Sequence, residues 1–222
     1  MAHILILAAL SEEADALCAG IGAPDDGPFA VRRLTALGHQ LTVATTGLGK
    51  VNAALAAGLL GADADMLLMT GTCGALGAEA GRAYWLAEAV QHDYGAMHPG
   101  AFRRYRAGDW PMGDAGPESS GAHFAAMADP GLGLPHARIA SGDSFVACPA
   151  AAADLAASLG ATLVDMEVGA VAQAAARLGK PWAAIKAVTD DANDATGGDF
   201  RANLVRAAGQ AAAAVERLLP ML

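Results

Sequence analysis

Apolar positions occur in two arrangements along the chain: short unbroken runs, and longer alanine-rich stretches that alternate with them. His3–Ala9 (HILILAA) is too short and too uniformly apolar for an amphipathic helix, and suits a strand covered on both faces. It meets Ser11-Glu12-Glu13 at once with no basic region before it, which reads as strand then helix and not as a secretory signal. Ser11 is placed to cap that helix, and the two acids fall in its first turn, where the helix dipole favours negative charge. Val31–Leu37 and Gln40–Thr46 flank Gly38-His39 and read as a hairpin. Lys50–Leu60 is an alanine-rich helix. Asp65–Thr70 (DMLLMT) is a buried strand ending in Gly71-Thr72-Cys73-Gly74, and Ala83–Val90 is a further strand. Beyond Pro135 the pattern gives a helix over Ala150–Leu159, a brief strand over Thr162–Met166, a helix over Glu167–Leu178 closed by Gly179, a strand over Pro181–Val188 and a long helix over Phe200–Leu219. Gln91 to Pro135 carries the weakest pattern. It is rich in Gly and Pro, and only Ser120–Ala128 has helical spacing.

Strands alternating with helices imply a largely parallel sheet with helices on its faces, and the hairpin and extra central strand make that sheet mixed. The expected fold is α/β: a single three-layer α/β/α domain around a central mixed β-sheet, spanning 1–222. A length of 222 residues fits one domain. The hydrophobic fraction of 54% against a charged fraction of 17% supports a well-buried core. No run approaches the ~20 apolar residues of a membrane helix. With 14 Lys+Arg against 23 Asp+Glu the formal charge is −9, which weighs against a nucleic-acid partner. Cys18, Cys73 and Cys148 form no zinc pattern and no disulfide framework, so a reducing cytoplasm is expected.

Ligands of open α/β sheets collect at the carboxyl ends of strands. Those ends supply Glu12 and Glu13, Thr46-Gly47-Leu48-Gly49, Thr70–Leu76, Ser141-Gly142-Asp143, Met166-Glu167 and Thr189-Asp190-Asp191. Carboxylates in different environments divide acid and base roles, although any one of these alone reads equally as a cap or a loop acid. Thr46-Gly47-Leu48-Gly49-Lys50 is neither a Walker loop nor a dinucleotide fingerprint. The six histidines show no metal spacing, so no metal is expected. Cys73 lies in a glycine turn without an evident His partner, against a nucleophilic role. Arg103-Arg104-Tyr105-Arg106 reads as a solvated loop with some reach for an anion.

Taken in order, Ala9-Leu10-Ser11-Glu12-Glu13, Thr46-Gly47-Leu48-Gly49-Lys50-Val51, Thr70-Gly71-Thr72-Cys73-Gly74, Ser141-Gly142-Asp143-Ser144-Phe145, Val164-Asp165-Met166-Glu167 and Ala187-Val188-Thr189-Asp190 resemble the purine nucleoside phosphorylase / nucleosidase superfamily. The similarity is greatest to its nucleosidases for 5′-methylthioadenosine and S-adenosylhomocysteine. It covers almost the whole chain except about residues 94–135. The resemblance implies hydrolysis of the N-ribosidic bond of a 5′-modified adenosine, without a cofactor, in nucleoside metabolism and methionine salvage. It implies that Glu13 positions and deprotonates the attacking water and that Asp190, beside Thr189, protonates N7 of the purine. Glu167 would grip the ribose hydroxyls, with Met166 against the sugar. Phe145 would stack on the base, the backbone of Val146 would read its edge, and Phe200 would form an aromatic lid. Thr72, Cys73 and Gly74 would line the purine and sugar region, and Leu48 the 5′ end. Lys186 stands where close relatives carry Arg, and His92 to Gly113 departs from the family pattern.

Two other functions remain open at this point: a phosphorylase using phosphate in place of water, and a non-catalytic nucleoside-binding domain. Retention of both Glu13 and Asp190 weighs against a pure binder. The thin set of cations at the strand ends weighs against phosphate, which calls for Arg or Lys. A homodimer is the expected assembly. The resemblance has a neighbouring subunit complete the pocket, and Tyr94, Phe102, Tyr105 and Trp110 offer aromatic anchors.

Overall fold

Strand β1 (His3–Ala8) sends alternate side chains to opposite sides: Leu5 and Leu7 enter one core, Ile4 and Ile6 the other. This is the mark of a strand with helices on both faces. The computed structural model describes residues 1–112 and 123–222. After β1 come α1 (Ser11–Leu17), the hairpin β2 (Arg32–Ala36) and β3 (His39–Thr45), α2 (Lys50–Leu60), β4 (Met66–Ala75) and β5 (Ala83–Gln91). A second hairpin, β6 (Gly95–His98) and β7 (Ala101–Arg104), precedes the short β8 (Phe124–Ala125) and then β9 (His136–Ser141). The remainder is α3 (Pro149–Leu159), β10 (Leu163–Asp165), α4 (Val168–Leu178), β11 (Trp182–Asp190) and α5 (Thr196–Leu218).

The main sheet runs β10-β9-β5-β11-β4-β1-β3-β2, with β8 attached to β5. β3, β1, β4 and β11 are mutually parallel, while β5 turns back antiparallel against β11 and carries β9 and β10 with it. β10 then pairs antiparallel with the end of β4, Val164 opposite Gly74, so that β4, β11, β5, β9 and β10 close into a ring. Ala14 and Cys18 of the α1 region and Ala214, Val215 and Leu218 of α5 cover one face of the sheet. Ala53, Ala56 and Ala57 of α2 and Val171, Ala172 and Ala175 of α4 cover the other. No described helix is long and apolar enough to cross a membrane.

The mixed α/β architecture matches the expectation, and four details do not. Leu10, not Ser11, holds the N-cap position of α1. Ser11 is the first helical residue, and its hydroxyl donates to Glu12 (3.0 Å). Across Ser120–Ala128, residues 120–122 lie outside the described residues, and the rest form no helix but the two-residue β8. The hairpin β6–β7 was not expected, because neither Gly95–His98 nor Ala101–Arg104 alternates cleanly in polarity. The basic cluster is not a solvated loop. Arg104 donates to His92 O (3.0 Å), Ser158 Oγ (3.0 Å) and Asp154 (2.9 Å), and the Arg106 guanidinium lies 4.6 Å from the Phe124 ring centroid.

Candidate active site

One cavity of about 400 Å³ opens where β1, β3, β4 and β11 reach their carboxyl ends. Glu167 and Met166 arrive by another route, because β10 runs opposite to these strands and meets them by folding back across the end of β4. All twelve residues expected at the site line this cavity: Glu13, Leu48, Thr72, Cys73, Gly74, Phe145, Val146, Met166, Glu167, Thr189, Asp190 and Phe200.

Glu13 is buried and is oriented by four donors. The backbone N–H groups of Ala9 and Leu10 donate to Oε2 at 2.9 and 3.1 Å. Thr72 donates to Oε1 from its N–H (2.7 Å) and its hydroxyl (2.8 Å). The first pair arises because Glu13 sits at the third position of α1 and reaches back over the helix start. The second pair requires close approach to β4 at Gly71. That residue has φ +132°, and a Cβ there would collide with the Glu13 carboxylate, so only glycine permits the contact.

Asp190 ends β11. Its Oδ2 accepts from the Thr189 hydroxyl (2.7 Å) and its Oδ1 from Ala192 N–H (3.1 Å). Burial pushes its carboxyl up against the pull of those bonds, and the neighbouring Asp191 adds to the rise. Gly74 leaves room beside it, since a Cβ there would lie 3.1 Å from Asp190 Oδ1. Thr72 holds Glu13 and Gly74 faces Asp190, so two anchor points on one strand, about 7 Å apart, set the two carboxylates.

Glu167 occupies the N-cap position of α4 and is held by Gly49 N–H, which donates to Oε1 at 2.9 Å. Burial pushes its carboxyl up to about 7, against the pull of Lys186. Lys186 is fully buried in β11. Its Nζ lies 3.3 Å from Asp165 Oδ2 and 3.9 Å from Glu167 Oε2. Burial alone would pull this ammonium down, but Asp165, Glu13 and Glu167 outweigh it and hold it charged. Asp165 also accepts from the Ser141 hydroxyl (2.5 Å) and Val168 N–H (3.0 Å), tying the start of α4 to β9.

At the mouth, Phe145 and Phe200 meet edge to face, their centroids 5.9 Å apart at 84°. Leu48 is half exposed beside them. Burial pushes the Cys73 thiol up, which keeps it protonated and unfit as a nucleophile.

Three charged residues had no assigned role in the expected site: Asp165 and Arg201, which line the cavity, and Lys186, which pairs with Asp165. The signal for Lys186 was present. A lone lysine inside PWAAIKAVTD, a strand apolar on both faces, has no solvent to reach and needs a buried partner. The cavity lining holds four carboxylates, Glu13, Asp165, Glu167 and Asp190, and among the described residues one basic side chain, Arg201.

The chain belongs to the phosphorylase superfamily, whose family model matches residues 3–220. It is 31% identical over 212 residues to the 5′-methylthioadenosine/S-adenosylhomocysteine nucleosidase of Mycobacterium tuberculosis, covering 83% of this chain and 82% of the relative. Among solved structures, the Streptococcus pneumoniae MTA/SAH nucleosidase in complex with 8-aminoadenine superposes with a TM-score of 0.82 at 25% identity, covering 99% of this chain and 100% of the other. A futalosine hydrolase of Helicobacter pylori shares the fold, with a TM-score of 0.82 at 22% identity over 100% of this chain and 98% of the other.

Proposed function

We propose that residues 1–222 form a single nucleosidase domain that hydrolyses the N-ribosidic bond of a 5′-modified adenosine of the methylthioadenosine or S-adenosylhomocysteine type. The observation that carries this reading is the pairing of Glu13, held by four donors, with Asp190, whose carboxyl is pushed up, from points two residues apart on β4. The relatedness to the mycobacterial nucleosidase supports it.

Each residue has a task in this scheme. Asp190 gives its proton to N7 as the bond from C1′ to N9 breaks, and the bonding electron pair leaves with the purine. The sugar becomes oxocarbenium-like, and the nearby carboxylates stabilise its positive charge. Water attacks C1′ and passes a proton to Glu13. Glu167 takes the ribose hydroxyls, kept in place by Gly49 and Lys186, with Met166 against the sugar. Thr72, Cys73, Gly74 and Thr189 line the purine and sugar region. Phe145 stacks on the base and the backbone of Val146 reads its edge. Phe200 closes over it, and Leu48 meets the 5′ group. No cofactor takes part.

A phosphorylase is the runner-up. A dianionic phosphate entering at the water's place beside the Glu13 carboxylate meets like charge, which costs ~1 kcal/mol per pair at 4 Å even in bulk water and more in a cleft. Arg201 is a weak counterweight, and the Lys186 ammonium is already committed to Asp165 and Glu167. Adenine release from methylthioadenosine in phosphate-free buffer tests the reading. Turnover only with phosphate would turn it to phosphorolysis, and binding without turnover to a nucleoside-binding domain.

The assembly we propose is a cytoplasmic homodimer acting in methionine salvage. Its support is apolar surface on one subunit: Val51, Leu55 and Leu59 on α2, with Met97, Trp110 and Met112, are all exposed. Of the aromatic anchors expected from the sequence, Tyr105 is buried in its own chain, whereas Trp110 is 75% exposed.

A further inference from the structure

A ring of polar contacts joins two loops of the cavity at a place the reaction scheme does not use. Lys50 opens α2. Its Nζ donates to Asp93 Oδ1 (2.6 Å) and, more weakly, to Gln91 Oε1 (3.3 Å) at the end of β5. The other Asp93 oxygen accepts from Asp143 N–H (2.8 Å), and Asp143 in turn accepts from Lys50 N–H (2.7 Å). The circuit therefore runs Lys50, Asp93, Asp143 and back to Lys50. It ties the loop bearing Leu48 and Gly49 to the loop bearing Phe145 and Val146.

We propose that Lys50, Asp93 and Asp143 form a positioning clasp that sets how the enzyme reads the ribose, acting on Glu167 through the Gly49–Lys50 backbone. The proposal rests on the nucleosidase reading above.

The physical basis is the order of the contacts. Gly49 N–H holds Glu167 Oε1 at 2.9 Å, and the next N–H along the chain, that of Lys50, is fixed by Asp143. Gly49 has φ +92°, a conformation that glycine enters and leaves without a Cβ penalty, so the aim of its N–H depends on how its neighbours are held. A carboxylate at the first N–H groups of α2 is favoured by the helix dipole, so Asp143 is a stable anchor. The Lys50–Asp93 pair is partly shielded, its side chains 18% and 30% exposed, which makes it firmer than a surface ion pair. Its loss lets Asp93 shift away from Asp143 N–H, which slackens the Asp143 carboxylate on Lys50 N–H and, through the Lys50 backbone, the adjoining Gly49 donor that aims Glu167.

The test compares methylthioadenosine with its 2′-deoxy analogue for the wild type, Lys50→Met, Asp93→Asn and the charge-conserving Lys50→Arg. Because Glu167 takes the ribose hydroxyls in this reading, the wild type should prefer the ribo substrate, and a wild type without that preference overturns the proposal. Lys50→Met and Asp93→Asn should then cut kcat/KM for the ribo substrate by about 10-fold, the scale expected for a displaced catalytic contact. The deoxy analogue should lose much less, so the ribo-to-deoxy preference falls, and Lys50→Arg should restore part of it. A merely structural clasp lowers Tm and slows both substrates equally; that result, or an unchanged preference, overturns the proposal while leaving the nucleosidase reading intact. A wild type that cleaves neither substrate overturns the functional reading and the clasp with it.

Discussion

At the scale of single residues, Asp190 and Lys186 carry the most specific expectations. An amide at 190 can donate a hydrogen bond to N7 but cannot transfer the proton that departure of the base needs, so Asp190→Asn should cost about 10²–10⁴ in turnover with the fold intact. Steady-state kinetics alongside circular dichroism check this, and a variant keeping a tenth of wild-type rate would contradict it. Lys186 neutralises a buried group of acids, so Lys186→Met leaves Asp165 and Glu167 uncompensated and should lower unfolding free energy by about 3–5 kcal/mol in urea titrations. Glu167 gives a pH signature. Its carboxyl titrates near 7 in the folded chain against an ordinary 4.5, so the folded state holds this proton more tightly than the unfolded one. Stability from this group is therefore full below about 4.5 and is lost as pH rises through 7. Glu167→Gln has no such loss. Its Tm should gain on the wild type between pH 5 and pH 8, and a constant difference would contradict the burial account. The catalytic acids were legible in the sequence because they fall in short motifs at strand ends. The Lys186–Asp165 pair was not, since its partners are 21 residues apart and only the ring of strands brings them together.

At the scale of elements, clean periodicity marks the strands and helices closely. α2 occupies Lys50–Leu60 as expected, and α4 ends at Leu178 before Gly179, which adopts φ +65°. β4 and β11 run longer than their apolar runs suggested, to Ala75 and Asp190. The extra residues of β4 are the ones that touch Glu13 and Asp190. Glycines and threonines there break the hydrophobic pattern because the strand has to leave space for carboxylates and ligand. Polarity at that end reflects chemistry, not a turn. Gly71 is the sharpest case. Gly71→Ala should displace Glu13 and remove most activity, with a larger loss than Gly77→Ala, where a Cβ meets open space at a similarly positive φ. Equal effects of the two substitutions in the same assay would show that backbone strain, and not contact with Glu13, is responsible. β8 and the β6–β7 hairpin were illegible for a different reason: two- and four-residue strands are too short to display a period.

At the scale of the whole molecule, α2 turns Ala53, Ala56 and Ala57 into the core and Val51, Leu55 and Leu59 outward. A helix apolar on both faces implies a second burial partner. Sedimentation at micromolar concentration should give about twice 22.2 kDa, and Leu55→Asp should shift the mass toward one subunit. A monomeric and fully active wild type would contradict the dimer. The layered α/β/α order was legible from alternating patterns alone. The ring closure through β10 was not, because a three-residue strand pairing with a partner some 90 positions away leaves no local trace. That closure carries Glu167 to Glu13, which Thr72 of β4 holds, and to Asp190 at the end of β11, and so assembles the chemistry that is the central claim. The most direct test of it follows the sugar product of methylthioadenosine cleavage by the wild type, with and without phosphate. Adenine and free methylthioribose at the same rate in both buffers is the predicted result. A sugar 1-phosphate, with no turnover when phosphate is absent, would contradict it.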